Sequence, residues 1–550
     1  MTSQASNLQV QQTNSFYNYT FGLDVIYVDL IKTASKLLES GIVRTVCFSD
    51  LKAIYLDSHN KPQVEWLRPE GRQWDASKLI KFSEALPKYA VNDLIFCLEL
   101  SLNEQHIEGA EGQHLPLYLR AALPPLILEN NDLTLPIYPW LKLYADGIMT
   151  ISFQLDTHWE NLDEKDFIHD IVNLFQRYFD RIWVLSELQR MDGEQLITGA
   201  YINEMSIGGQ SIVNRQSQKL IKEMQQKARI TLEESLSKEG GIFNLHGESW
   251  ELHQIAGSEE QGEWEATIDL CRSIYANVIE THVIGWNKNK KETGAKSILW
   301  EGRPSISLMR YTDQPQSKKL LLEKYSSSIS RILLRSAEIK EPPPLPKDLR
   351  LFEDYCFHGN RAILLWTWLR SSSSPVNVWD DSSTRYRLLS NQARAEHFEY
   401  YNMHIARACT MANEPQSDEH LVYASKVLAN ANKVTHQSSQ AGEITDALEF
   451  LMNTAGTTGL IASSKEQARW HLDERRYRTE KNRSYIDRWL AVIFGFVGAA
   501  GLADLIVKPF LDLMYPYLAD WFTGLIGFGL ASCMVGFIAF LIIIVNKVRT

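Results

Sequence analysis

The stretch WLAVIFGFVGAAGLADLIV at residues 489–507, followed by WFTGLIGFGLASCMVGFIAFLIIIV at 521–545, decides the reading of this chain. The first segment holds one ionisable residue, Asp504, and the second holds none. About 20 apolar residues, at about 1.5 Å of rise each, span the hydrocarbon core of a bilayer, so each segment is long enough to cross. The sequence therefore predicts a C-terminal two-helix transmembrane hairpin. Its parts are transmembrane helix 1 at 489–507, an outer loop at 508–520, transmembrane helix 2 at 521–545 and a basic cytoplasmic tail at 546–550.

Flanking charge sets the expected orientation, because Lys and Arg are retained on the cytoplasmic side of short flanks. Arg475, Arg476, Arg478, Lys481, Arg483 and Arg488 precede the first segment, and Lys547 and Arg549 follow the second. The turn between them offers Lys508 against Asp512 and Asp520. The expectation is a multi-pass protein of the inner (plasma) membrane with both termini in the cytoplasm. Trp489, Tyr515, Tyr517 and Trp521 fall at the expected interfaces, where amphipathic rings keep one edge wet.

Before these segments the chain is long enough, and at 45% apolar residues apolar enough, to build substantial cores. Residues 465–550 carry 11 Lys plus Arg against 8 Asp plus Glu, which leaves 45 against 59 in residues 1–464. An acidic body lacks the basic face of a nucleic-acid platform, so no direct nucleic-acid binding is expected. The polar stretch Met1 to Phe16 has no secretory-signal pattern, so the body is expected to stay in the cytoplasm. Six scattered cysteines without a CxxC pair fit reduced, buried thiols.

The fold class expected is an α+β cytoplasmic domain followed by long stalk helices and the hairpin. Short β-branched and aromatic runs at 21–30, 42–57, 63–68, 94–102, 133–143 and 147–155 read as strands of a mixed α/β domain over 1–340, as one body or two subdomains. Asp166 to Met191 reads as one amphipathic helix, and 216–238 and 263–286 give similar patterns. Pro342-Pro343-Pro344-Leu345-Pro346 and Ser371 to Ser374 mark a connector over 341–390. A helical stalk follows over 391–488, with helices at 391–413 and 418–434 and a very long helix that starts near Glu443 and runs into the membrane. Its polar part, Lys465 to Arg488, needs partner helices for support.

A long cytoplasmic helix feeding the first of two C-terminal spans, with a mixed α/β domain in front, resembles the CorA family of metal-ion transporters. That resemblance implies five identical subunits, a pore lined by the first span, and a divalent cation as the transported or regulatory ion. The Gly-Met-Asn signature of the family is absent, and Leu505-Ile506-Val507-Lys508-Pro509-Phe510 stands where it should fall. Divergent CorA-like proteins without it resemble membrane effectors of prokaryotic defence systems, in which a cytosolic domain senses a small nucleotide ligand. The leading expectation is thus a homo-oligomeric ion-conducting effector in the lipid bilayer. A Mg²⁺-type transporter and a membrane-tethered enzyme or scaffold are the alternatives.

Candidate residues follow from the same segments. Asp504 is an intramembrane charge and a candidate ring of carboxylates at the outer mouth, set against simple contact with interfacial water. Gly495, Gly498 and Gly501 permit close helix approach along the ion path or within the hairpin, as do Gly529, Ser532, Gly536 and Ala539. The basic residues from Arg475 to Arg488, with Lys547 and Arg549, are candidate inner-mouth or lipid-headgroup contacts, against a plain topology signal. No P-loop, GxGxxG turn, HExxH helix, GxSxG elbow or EF-hand loop occurs, so no catalytic residue, metal ligand or bound cofactor is assigned. His397, Glu399 and His404 read as a solvated helix face, and Gly208-Gly209-Gln210-Ser211 and Gly240-Gly241 as loops.

Overall fold

The computed structural model describes residues 8–57, 59, 61–67, 86–108, 115–130, 133–206, 222–230, 240–255, 268–287, 290–369, 381–517 and 519–549. The chain divides into two compact units, Met1–Gln467 and Ala468–Thr550.

The first unit is built on a large mixed sheet. In chain order its strands are β1 (Gln9–Leu23), β2 (Tyr27–Val28), β3 (Thr45–Phe48), β4 (Lys52–Leu56), β5 (Pro62–Trp66), β6 (Tyr118–Ala122), β7 (Leu126–Asn130), β8 (Leu133–Tyr144) and β9 (Ile148–Asp163). They continue with β10 (Arg181–Val184), β11 (Gly240–Leu245), β12 (Glu248–Gln254), β13 (Ile284–Asn287), β14 (Lys290–Thr293), β15 (Ser297–Tyr311), β16 (Tyr355–Gly359) and β17 (Leu364–Trp368). The main path runs β11-β12-β10-β7-β8-β9-β1-β15-β17-β16, with β6, β3, β4 and β5 branching from β8, and β14-β13-β2 forming a separate three-stranded sheet. Among the described residues only β15 and β17 pair in parallel; the other pairs are antiparallel.

Long β1 sits at the centre, in register with β9 on one side and β15 on the other. Side chains alternate across a sheet with a period of two. One face carries Tyr17, Tyr19 and Phe21 of β1, Ile151 and Phe153 of β9, and Ile306 and Leu308 of β15, all within the main apolar core. The other face carries Asn18 and Thr20, Thr150 and Ser152, and Arg303, Ser305 and Ser307, all buried as well. What covers that polar face is a central helix, Ser382–Asn413, in which every residue from Leu388 to Met403 is buried.

The central helix is matched to the sheet by polar contacts. Asn18 Oδ1 accepts from Ser152 Oγ at 2.7 Å and from Gln392 Nε2 at 2.8 Å, and Asn391 Nδ2 donates to Ser307 Oγ at 3.2 Å. Arg303 donates to Glu399 at 2.6 Å. Glu104 and Glu396 face Arg120 and Lys142, with all four side chains only 1–3% exposed. Burial opposes ionisation of Glu104, but Lys142 and Arg120 outweigh it and hold the carboxyl below its usual range. Near the other end Arg407 donates to the carbonyls of Leu23, Val25 and Asp146 at 2.5–2.9 Å. Gly147 (φ +86°) closes the β8–β9 turn there, and a Cβ on it would lie 2.5 Å from the Val25 carbonyl oxygen.

Helices Asp418–Ala429, Ala431–His436 and Gly442–Ala455 follow, and Gly456 (φ +85°) ends the last with a left-handed residue. A long helix, Thr457–Leu502, then begins, so the helix expected from Glu443 onward is two helices joined at a glycine. In the second unit a π-helical turn, Ala503–Val507, and a short helix, Lys508–Met514, come next, and helix Asp520–Arg549 ends the described chain. Segments Ile493–Met514 and Asp520–Phe537 are long and apolar enough to cross a membrane by length and composition. Ala499 and Ala503 pack against Ala531, with Val507 and Val535 around them.

Several expectations are corrected. Residues 94–102 belong to helix Lys88–Glu108 rather than to a strand. Asp166 to Met191 is not one helix: Glu164–Phe167 and a π turn, Ile168–Val172, give way to β10 before helix Ser186–Ser206. Residues 263–286 give helix Ile268–His282 and then β13, while 222–230 is helical within 216–238. The supposed connector over 341–390 contains β16 and β17, which extend the main sheet. Residues 391–413 lie in the buried central helix and are not stalk, and 508–514 of the supposed outer loop are helical. His397 and Glu399 are buried, and His404 bonds Asp146, so these three do not form a solvated face. Ser371 to Ser374 and Gly208 to Ser211 lie outside the described residues, and Gly240-Gly241 opens β11.

Candidate functional site

A cleft of about 480 Å³ in the first unit opens between helix Lys88–Glu108, strand β8 and the β11–β12 hairpin. Alternation along β8 puts Tyr138 and Trp140 on the same face, two residues apart. The Trp140 ring stacks on Phe96 at 3.9 Å between centroids, and its Nε1 donates to Gln154 Oε1 at 2.9 Å. Tyr138 stacks on His246 at 4.0 Å with the planes 10° apart. His246 (φ +50°) and Gly247 (φ +80°) are both left-handed, the pair that a two-residue hairpin turn demands. The turn geometry thus delivers the imidazole to the cleft.

Charge enters from two arginines. Arg44 lies between the rings of Tyr89 and Trp250, 4.3 and 4.7 Å from their centroids, and pairs with Glu248 at 2.8 Å and Asp93 at 3.9 Å. Arg385, in the first turn of the central helix, pairs with Glu99 at 2.6 Å. Burial pushes the Asp93 carboxyl up to about 7, with Arg44 opposing and Glu248 adding to the rise. Planar rings, two guanidiniums and the amides of Asn92 and Gln154 converge on one space. Stacking faces suit a flat heterocycle, and guanidiniums suit the oxyanions attached to it.

The residues singled out in the sequence lie elsewhere. Asp504 is exposed within the π-helical turn. A Cβ on Gly495 would come 3.1 Å from Val535, so this glycine serves helix packing, while Gly498 and Gly501 face open space. Arg476 and Arg478 pair along the long helix with Glu480 and Glu474 at 3.1 and 2.5 Å. Lys481 and Arg483 are exposed and Arg475 is partnered; the side chains of Arg488, Lys547 and Arg549 lie outside the described part. No group of three or more His, Cys, Asp or Glu suited to a metal ion occurs among the described residues.

The sequence reading assigned no ligand-binding residue. The aromatic pair Tyr138-Pro139-Trp140 within a strand and the His246-Gly247 turn are the local signals that mark the cleft. Arg44, Asp93 and Arg385 carry none, since only the tertiary fold brings them there. The chain matches no protein-family model, no curated protein and no solved structure.

Proposed function

We propose that the chain is a homo-oligomeric, pentameric ion-conducting membrane effector of CorA-like architecture. Its cytoplasmic domain gates the pore when a nucleotide-type ligand fills the cleft around Trp140, in a defence setting. The observation that carries this reading is the central helix. Its first turn supplies Arg385 to the cleft, and further along Asn402 Oδ1 accepts a 2.6 Å hydrogen bond from Thr457, the first residue of the long helix. That helix runs to Leu502, inside the first apolar segment. A ligand that moves Arg385 therefore pulls on the element that holds the start of the long helix. In this reading Asp504 places a carboxylate ring at the outer mouth, and a divalent cation is the conducted or regulatory ion.

The test is ion flux from vesicles reconstituted with the full chain, with adenosine and guanosine 5′-phosphates as probes. Flux that starts or stops on nucleotide addition, and a response lost in Trp140→Ala and Arg385→Ala, is the expected result. No flux under any probe, or a monomer in mild detergent, refutes it.

A further inference from the structure

A second cleft, about 420 Å³, lies on the first unit between the central helix and the loop leading into β16. Its most telling residue is Arg394, whose surface is 5% exposed. The other buried arginines near this helix have a carboxylate or several carbonyls: Arg120 has Glu104 and Glu396, although its Nε also lacks an acceptor, Arg303 has Glu399 and the Asn360 carbonyl, and Arg407 has three carbonyls. Arg394 donates to the Tyr355 hydroxyl and lies 5.3 and 5.9 Å from the ring centroids of Phe352 and Tyr355. Its Nε has no acceptor, and among the described residues no carboxylate pairs with it. Ring faces and one hydroxyl do not offset the cost of taking a guanidinium out of water.

Asp354 supplies the complement in the same cleft. Its Oδ2 forms an ion pair with Arg387 Nε at 3.1 Å, while its buried Oδ1 has no donor. Arg394 and Asp354 line one space, with Phe352 and Tyr386 as apolar wall. Charge decides the ligand class. Arg387 is already neutralised by Asp354, so a single guanidinium is open, and exposed Glu353 stands at the rim. A phosphate dianion would bring two charges to that one open cation, with the Glu353 carboxylate at the rim. A carboxylate matches the planar fork of one guanidinium edge, and an ammonium on the same molecule matches Asp354.

We propose that this cleft binds a small zwitterion of the α-amino-acid class, its carboxylate on Arg394, its ammonium on Asp354 and its side chain against Phe352 and Tyr386. The site is separate from the cleft around Trp140 and stands whether or not the chain conducts ions.

The experiment is calorimetric titration and thermal unfolding of the full chain in mild detergent. The probes are the L-α-amino acids one at a time, the decarboxylated amine and the desamino acid of any that binds, and inorganic phosphate. At least one amino acid is expected to bind and raise the unfolding midpoint, with its amine at least ten-fold weaker. Arg394→Lys is expected to weaken binding at least ten-fold, and Asp354→Asn to weaken the amino acid but not the desamino acid. Without any probe, Arg394→Met should unfold at or above the parent's midpoint, because it removes a buried charge that lacks a counter-ion. Binding by no amino acid, equal binding by phosphate or by the amine, unchanged binding in Arg394→Lys, or a lowered midpoint in Arg394→Met overturns the proposal.

Discussion

Replacing Glu396 by Gln removes one of two carboxylates from a pocket that also holds two cations. In the parent, Arg120 Nη2 lies 2.6 Å from Glu396 and 3.2 Å from Glu104, and Lys142 contacts both acids, so the four charges sum to zero. After Glu396→Gln, Arg120 and Lys142 share Glu104 alone, and a side chain 2–3% exposed is left with an uncompensated charge. Breaking a buried ion pair from one side costs about 3–5 kcal/mol. Adding Lys142→Met restores charge parity, so the double variant is expected to lose at least about 1–2 kcal/mol less than the sum of the two single losses. Urea unfolding of the full chain in mild detergent, followed by tryptophan fluorescence, measures all four corners of this cycle. A loss below about 1 kcal/mol for Glu396→Gln, or strict additivity in the double variant, would refute the view that these charges act as one buried unit.

Other outcomes are equally specific. Gly147→Ala forces a Cβ into a left-handed residue beside the Val25 carbonyl, and a loss of at least about 2 kcal/mol in the same assay is expected. Asp93, at about 7 in the folded chain, keeps its proton where the unfolded chain has lost it, so its contribution to stability falls as pH rises from about 4 to 7. Asp93→Asn should abolish that slope; a midpoint–pH curve unchanged by the substitution argues against the buried acid. His358, at about 4 through burial, acts oppositely: the unfolded chain takes up its proton first, so stability falls as pH drops from about 6.5 to 4. His358→Gln should flatten that acid limb in melts between those pH values. In the flux assay, Asp504→Asn is expected to lower the preference for cations over anions, and an unaltered reversal potential would remove Asp504 from the ion path.

The apolar segments were legible because a bilayer-length run is a one-dimensional signal, and strands β8 and β9 because β-branched and aromatic runs cover 133–143 and 147–155. The polar sheet face was not. Asn18, Thr150, Ser152 and Ser305 alternate with apolar residues exactly as strands facing water do, and nothing local says that a helix some 370 residues after Asn18 will cover them. The same blindness hid the central helix, whose charged and amide residues show no apolar stripe. Its N-cap, Asp381 accepting from the Thr384 amide, was the available signal for a start nine residues before Asn391. Residues 94–102 read as a strand because a helix buried on several sides shows an apolar run without amphipathic spacing. The clefts depend on pairs far apart in sequence, such as Arg385 with Glu99, which no window along the chain contains.

The polar inner face also bears on how the chain is made. Strand β9 ends at Asp163 and the central helix begins at Ser382. At about 5–20 residues per second, synthesis leaves the face between β1 and β9 uncovered for on the order of 10–45 s. An apolar face left bare that long would recruit other nascent chains. Asn18, Thr20, Thr150 and Ser152 instead present groups that water satisfies until Gln392 and its neighbours arrive. Solubility of the half-made sheet is thus built into the contacts that later lock it shut.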